Sequence, residues 1–373
     1  MEKNLQDGEC LLAYGYTPFH QSHFDEFVRR VGVDDSDLQP ARVLFTSRDH
    51  LRVLTAHGER AASLAGLFRR GDVDPPAVGD FVAVDVAQSG AGPSGGVVVR
   101  SALPRRTCIS RKVAGEVTRE QVVAANVDTI FLVMGLDGDY NLRRLERFAV
   151  LARESGAQPV VVLSKADLCE DAVGPRLDAQ QAAPGMPVFA ISSLTDTGLE
   201  ALDGFLGPGQ TVALVGSSGA GKSTLINRLA GHPVMKTGAV RAGDDRGRHT
   251  TTHRQLVPLP AGGLLLDNPG IRELQLWAGE EALESAFGDI ESLARGCRFS
   301  DCSHDGEPGC AVQGAVDGGR LDAARLANWH GLSRELASLE RRRNVAHRRR
   351  EERRTSKLYR RVQSAKRSRR GSG

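Results

Sequence analysis

No apolar run in the 373 residues approaches the roughly 18 residues that a membrane-spanning helix needs. The first thirty residues also lack the basic-then-apolar order of a secretory leader. Both absences lead to the expectation of a cytoplasmic protein with no membrane partner. Aromatic residues make up only 5%, so a surface that stacks nucleic-acid bases is poorly supported; Phe45 and Phe81 are the chief aromatics on the β-rich segments. The six cysteines do not read as a disulfide framework. Cys10, Cys108 and Cys169 stand apart, while Cys297, Cys302 and Cys310 crowd together with His304, which is metal-site usage.

The near-neutral charge conceals a strong asymmetry. Residues 341–373 carry 15 Lys or Arg against Glu351 and Glu352, leaving the first 340 residues with 34 basic and 44 acidic side chains. So basic a tail on an acidic body suits a polyanionic partner, nucleic acid first among them; a merely solvated tail is the alternative. Hydrophobic residues at 40% are ordinary for a globular chain, and the length allows two or three domains with sizeable cores.

What is present is an order of motifs. Gly216-Ser217-Ser218-Gly219-Ala220-Gly221-Lys222-Ser223 has the form GxxxxGKS, between an apolar strand and a helix opening at Thr224. Its glycines permit tight turns that aim N–H groups at phosphate oxygens. Lys222 reaches the β- and γ-phosphates, and the Ser223 hydroxyl ligates Mg2+. Asp267-Asn268-Pro269-Gly270 follows the apolar Leu264-Leu265-Leu266 and has the DxxG form of a γ-phosphate switch. Asp267 is expected to hold the hydration shell of Mg2+, and the Gly270 N–H to meet the γ-phosphate.

Base identity rests on Ser164-Lys165-Ala166-Asp167. A carboxylate at Asp167 pairs with the N1–H and N2–H2 edge of guanine, an edge adenine does not have, and Lys165 lays its stem across the base. Ser164 stands where Asn or Thr is usual, keeping a hydroxyl but losing reach. Ser192-Ser193 places a backbone N–H against guanine O6. This segment ends 49 residues before Gly216, whereas the ordinary order puts it well after the phosphate loop. Together the two assignments describe a circularly permuted GTPase.

Ile271 follows the DxxG segment, a position where a water-orienting Gln is common, so hydrolysis awaits a partner or another segment. Gly247-Arg248-His249-Thr250-Thr251-Thr252 lies where the first switch belongs. Thr250 and Thr251 are the leading choices to close on Mg2+, with Thr251 the expected ligand. His249 either orients the attacking water or is a solvent-exposed loop histidine. Arg248 stabilises transition-state charge or binds RNA.

Cys297-x4-Cys302-x-His304-x5-Cys310 offers three thiolates and an imidazole. That set suits a closed, tetrahedral and therefore structural Zn2+ site, and the metal is expected to supply much of the folding energy of so small an element. Residues 41–107 read as short strands separated by turns, suited to an OB-fold or, equally, an SH3-like barrel. From Asp128 onward strands alternate with helices and each strand ends in a functional turn, the pattern of a parallel α/β sheet with ligands at strand C-termini. Beyond the cysteines a helix shows Trp329, Leu332, Leu336 and Leu339 on one face. The expected units are an N-terminal extension of unassigned role (1–37), an OB-like barrel (38–108), the permuted P-loop domain (109–278), a zinc-binding domain with helix (279–345) and a basic tail (346–373).

These residues together resemble the ribosome small subunit-dependent GTPase A (RsgA) family of bacteria, over residues 40–340. The resemblance rests on the permuted order, the Gly247-to-Thr252 switch, Asp267-x-Pro269-Gly270 followed by an aliphatic residue, the Cys/Cys/His/Cys spacing, and Gln121-Val-Val-Ala-Ala-Asn-Val-Asp128. Ser164, Ser193 (more often Ala) and Asn268 (more often Ser) depart from it. It implies a GTPase that acts late in maturation of the small ribosomal subunit, with low intrinsic hydrolysis stimulated by that subunit. Implied partners are the small subunit with its rRNA, and GTP or GDP; implied cofactors are one structural Zn2+ and Mg2+ with the nucleotide. A monomer is expected. The main rival is a nucleotide-regulated RNA-binding module without significant turnover; an ATP-driven nucleic-acid enzyme is a second.

Overall fold

The computed structural model describes residues 10–32, 37–47, 50–69, 73–86, 96–112, 120–235, 254–267 and 279–342. Residues two apart on a strand share a face, and small apolar side chains, mostly valine, at that spacing close the first domain. Ala41 and Val43 of β1 (Leu38–Thr46), Val53 of β2 (Leu51–Thr55), Val82 and Val84 of β4 (Phe81–Asp85), and Val97 and Val99 of β5 (Val97–Ala102) pack into one cluster with Phe68. β3 (Gly58–Leu64) pairs antiparallel with β2 and parallel with β5, and β4 returns to β1. The circuit β1-β2-β3-β5-β4-β1 is an OB-like barrel.

The N-terminal stretch, without a role in the sequence, helps to seal this barrel. Helix Pro18–Val31 has Pro at its first turn and a left-handed Gly32 (φ 64°) after its last. It buries His20 and Phe24, and Leu11 and Tyr16 join the same core. His20 lies 4.0 Å from Phe81, ring centre to ring centre, and burial pushes its pKa down to about 4, so it packs as a neutral ring.

Arg42 of β1 is 1% exposed and ties four segments together. Its guanidinium donates to the carbonyls of Tyr14, Gly79 (3.4 Å) and Asn126 (3.1 Å) and to the Thr211 hydroxyl (2.9 Å), and it lies 4.9 Å over the Phe81 ring. Burial lowers its pKa to about 10, still far above neutrality, so the cation persists. Arg42→Met removes the donors and leaves buried oxygens unpaired. It is expected to cost about 3–5 kcal/mol and to lower the melting temperature by roughly 10 °C. An unchanged melting curve would show that these contacts are dispensable.

The second domain is built on β8 (Thr129–Gly135), β9 (Gln158–Ser164), β10 (Val188–Ala190), β11 (Thr211–Val215), β12 (Arg254–Pro258) and β13 (Leu264–Asp267), in the order β10-β9-β8-β11-β13-β12. All pairs are parallel except β13 with β12. The central strands β8, β9 and β11 are covered on both faces, so their buried runs are continuously apolar rather than alternating. Phe131, Val133, Val160, Val162, Val212 and Leu214 face helix Lys222–Ala230, through its Leu225 and Ile226. Ile130, Leu132, Val161, Leu163 and Val215 face helix Leu142–Glu154, whose N-cap Asn141 accepts the Arg144 N–H at 3.0 Å.

Barrel and sheet are continuous. β1 carries an irregularity between Val43 and Phe45, and its last residues, Phe45 and Thr46, pair with Gln255 and Arg254 of β12. Such an irregularity re-aims a strand, here from β4 to β12. A hairpin of β6 (Cys108–Lys112) and β7 (Glu120–Ala125) also lies between the two domains.

The C-terminal unit comprises helices Glu280–Ala286, Gly288–Ala294 and Ala311–Asp317 and a long helix over 323–342. Its Phe287, Ile290, Val312, Leu332, Leu336 and Leu339 share one core with Leu145 and Ala149 of helix Leu142–Glu154, and Leu332, Leu336 and Leu339 are the stripe read from the sequence. Among the described residues no helix is long and apolar enough to cross a membrane.

Candidate nucleotide site and metal centre

The phosphate loop leaves β11 at Gly216 and enters helix Lys222–Ala230 at Gly221, which has φ 82°. A Cβ at Gly216 would lie 2.2 Å from the Val133 carbonyl oxygen, so only glycine lets this strand end press against β8. The Lys222 ammonium donates to the carbonyls of Gly216 (2.7 Å) and Ser217 within the loop. Ser223 and Thr224 fall in the first turn of the helix, whose free N–H groups and dipole favour an anion. Ser218 and Gly219 are exposed at the loop's crest, and Ala220 is buried beneath it.

Asp267 ends β13 and is buried. Because Ala213 of β11 is level with Leu266, Asp267 lies beside the strand end that opens the phosphate loop. Ser223 and Asp267 are oxygen donors at neighbouring strand and helix ends, a fit for a hard cation carried by a nucleotide. Gly270 of the DxxG segment, and His249, Thr250 and Thr251 of the switch, lie outside the described residues, as do Arg248, Asn268, Ile271 and the tail beyond residue 342.

The Ser164-Lys165-Ala166-Asp167 segment, expected to read the base and distant in sequence, sits against the loop. The Ser164 hydroxyl, fully buried, donates to the Ala220 carbonyl at 2.7 Å. A Cβ at Gly221 would lie 3.2 Å from Ser164 Oγ and 4.0 Å from Lys165 Cε, so glycine allows the close approach that makes the short serine sufficient. Lys165 is left-handed (φ 61°) and pairs with Asp137, whose carboxyl it holds below the usual range. The Ser192 hydroxyl donates to Asp167 Oδ1 at 2.5 Å and accepts the Leu194 and Thr195 N–H groups, each at 3.2 Å. Ser192 thus orients the Asp167 carboxylate, while Ser193 lies in the same turn. Reading the sequence did not single out Asp137 or Asp139. The available signal was their position in the turn after β8, since strand C-termini gather ligand-binding groups.

Cys297, Cys302, His304 and Cys310 come together with all their ligand atoms within 4.8 Å of one another. His304 Nδ1 is 3.6 Å from both Cys297 Sγ and Cys310 Sγ, and those two sulfurs are 4.0 Å apart. Bonds of about 2.3 Å to sulfur and about 2.1 Å to nitrogen at tetrahedral angles require separations of about 3.8 Å and about 3.6 Å, so the set fits one Zn2+. Main-chain N–H groups of Ala311 and Gln313 reach Cys297 and Cys310 sulfur at 3.3 Å each. Glu307 fixes the loop by accepting the Ser303 (2.9 Å) and Asp305 (2.8 Å) N–H groups. The His304 ring is 5.5 Å from that of Trp329, seating the long helix on the Cys3His cluster.

Residues 102–277 match the model of the RsgA GTPase family. Curated relatives include the small ribosomal subunit biogenesis GTPase RsgA of Opitutus terrae, 44% identical over 94% of this chain and 96% of its own. That of Xanthomonas axonopodis pv. citri is 50% identical over 70% of each. Among solved structures, YjeQ from Thermotoga maritima is similar at a TM-score of 0.61 and 26% identity, covering 80% of this chain and 99% of that one. YloQ, a circularly permuted GTPase, shares the fold at a TM-score of 0.56 and 24% identity, over 81% of this chain and 96% of its own.

Proposed function

Because the chain belongs to the RsgA GTPase family, we infer that it hydrolyses GTP to GDP and phosphate in biogenesis of the small ribosomal subunit. The observation that carries this reading at residue level is the hydrogen bond from Ser164 to Ala220. It holds the guanine-reading segment against the phosphate loop, so that one nucleotide can meet both despite their reversed order along the chain.

In this reading Asp167, held by Ser192, selects guanine, while Lys165 and the turn at Ser192-Ser193 frame the base. The N–H groups from Gly216 to Thr224 receive the phosphates, and Lys222 leaves its loop carbonyls to neutralise their charge. Ser223, Asp267 and Thr251 would hold the nucleotide's Mg2+, which offsets phosphate charge when bound. Gly270 senses the γ-phosphate. His249 and the switch threonines are proposed to order the attacking water, since Ile271 has no polar group with which to do so. Low turnover until a partner completes the site follows from that deficit.

The Cys3His set would hold a structural Zn2+, and the basic tail supports contact with rRNA through phosphate neutralisation. A monomer in the cytoplasm suits these partners. The working partition is a barrel at 38–108, the GTPase domain at 109–278 and the metal-bearing unit at 279–345.

The test is GTP hydrolysis by the purified protein, alone and with small ribosomal subunits, with ATP and large subunits as controls. Strong stimulation by small subunits and GTP alone is expected. GTP binding without stimulation would leave a nucleotide-regulated RNA-binding module.

A further inference from the structure

The turn between β8 and helix Leu142–Glu154 holds the phosphate loop by a second contact. The Ser217 hydroxyl reaches both carboxylate oxygens of Asp139, at 2.6 and 2.5 Å. Asp139 is only 15% exposed and pairs with Arg144 in the first turn of that helix. The same helix grips the C-terminal unit. Glu146, 1% exposed, accepts from Arg325 (2.9 Å) and Asn328 (2.6 Å), and Arg147 meets Glu335 with two bonds, at 2.6 and 2.8 Å. Arg325 in turn makes two bonds to Asp289, at 2.7 Å each. A single 13-residue helix is therefore linked to the phosphate loop through Arg144 and Asp139 at its N-terminal end, and holds the 323–342 helix along its side.

A carboxylate beside an anion-binding loop is a like charge to the incoming phosphates. Its effect depends on how closely Arg144 compensates it. Filling the loop changes the field on Asp139 and its competition for Ser217, while Arg144 carries the response into a packed helix. Such helices move as bodies rather than deform locally.

We propose that Asp139 positions the phosphate loop through Ser217 and is the joint by which nucleotide there is felt by the 323–342 helix. The proposal rests on residues 216–223 being the phosphate loop. It does not depend on the ribosomal partner, so the test uses the full-length protein alone.

Hydrogen exchange is measured without nucleotide, with saturating GDP, and with a saturating non-hydrolysable GTP analogue; binding is checked in the same samples with a fluorescent guanine nucleotide. Exchange of amides in 323–342 is expected to differ at least about fivefold between the free and GTP-analogue forms. Asp139→Ala and Ser217→Ala should each reduce that difference below about twofold, and the double variant should do no more than either single one, as for two ends of one link. Asp139→Asn, which keeps an acceptor without the charge, should fall between. Nucleotide-bound wild-type protein with unchanged exchange in 323–342 overturns the proposal. So does either alanine variant that binds nucleotide and keeps the full difference. Should Asp139→Ala bind no nucleotide, the milder Ser217→Ala decides. A wild-type protein that binds no guanine nucleotide would sink the underlying site reading instead, which the binding check distinguishes.

Discussion

Asp167→Asn is expected to weaken GTP binding by about a thousandfold, roughly 4 kcal/mol, and to strengthen binding of xanthosine triphosphate. Guanine offers two N–H groups to a carboxylate. Xanthine replaces the exocyclic amine by a carbonyl, which an amide side chain can satisfy and a carboxylate cannot. The substitution should leave the fold intact, because an amide oxygen still accepts the Ser192 hydroxyl that now lies 2.5 Å from Asp167 Oδ1. Competition titrations with GTP, XTP and ATP give the readout. A variant that keeps its preference for GTP would place base reading elsewhere, and a wild type that prefers ATP would favour the nucleic-acid enzyme.

Removal of zinc, by chelation or by Cys302→Ser, is expected to melt the metal-bearing loop and free the 323–342 helix from it. Structural Zn2+ supplies about 10–16 kcal/mol in small zinc-finger peptides. Even a fraction of that exceeds what the exposed Cys297–Cys310 segment can draw from its few buried side chains. The GTPase sheet should survive, since both its faces are covered independently of the metal. Metal analysis should find one Zn2+ per chain. Trp329, beside His304, should change its fluorescence on chelation while guanine nucleotide still binds. A metal-free protein with an unaltered melting curve and Trp329 signal would show that the four ligands cluster without a structural role for the ion.

Much of the candidate site was legible because its chemistry is local. The phosphate loop, the Asp267 turn and the four metal ligands each lie within fourteen residues or fewer, and their meaning depends on spacing alone. The parallel sheet was legible for a related reason. A strand buried on both faces must be apolar along its buried run, and residues 130–134 of β8, 160–163 of β9 and 212–215 of β11 are. Ser164 was harder to judge. Its short side chain argued against a firm contact, but glycine at 221 brings the loop close enough for a serine.

Other features had no local signature. Helix Pro18–Val31 turns His20 and Phe24 inward, and that burial exists only once the barrel is there to cover them. Arg42 looks like any strand arginine until partners from 28 to 169 residues away converge on it. The β1–β12 pairing and the Asp139–Ser217 contact likewise join segments far apart in the chain.

The sequence alone thus determined that this protein carries a permuted nucleotide site and a Cys3His metal set, because short spacings and apolar runs dictate those features wherever they occur. Only the tertiary structure decided how barrel, GTPase domain and C-terminal unit are joined. Those joints are buried charges and strand edges whose partners are brought together by the packing of the whole chain.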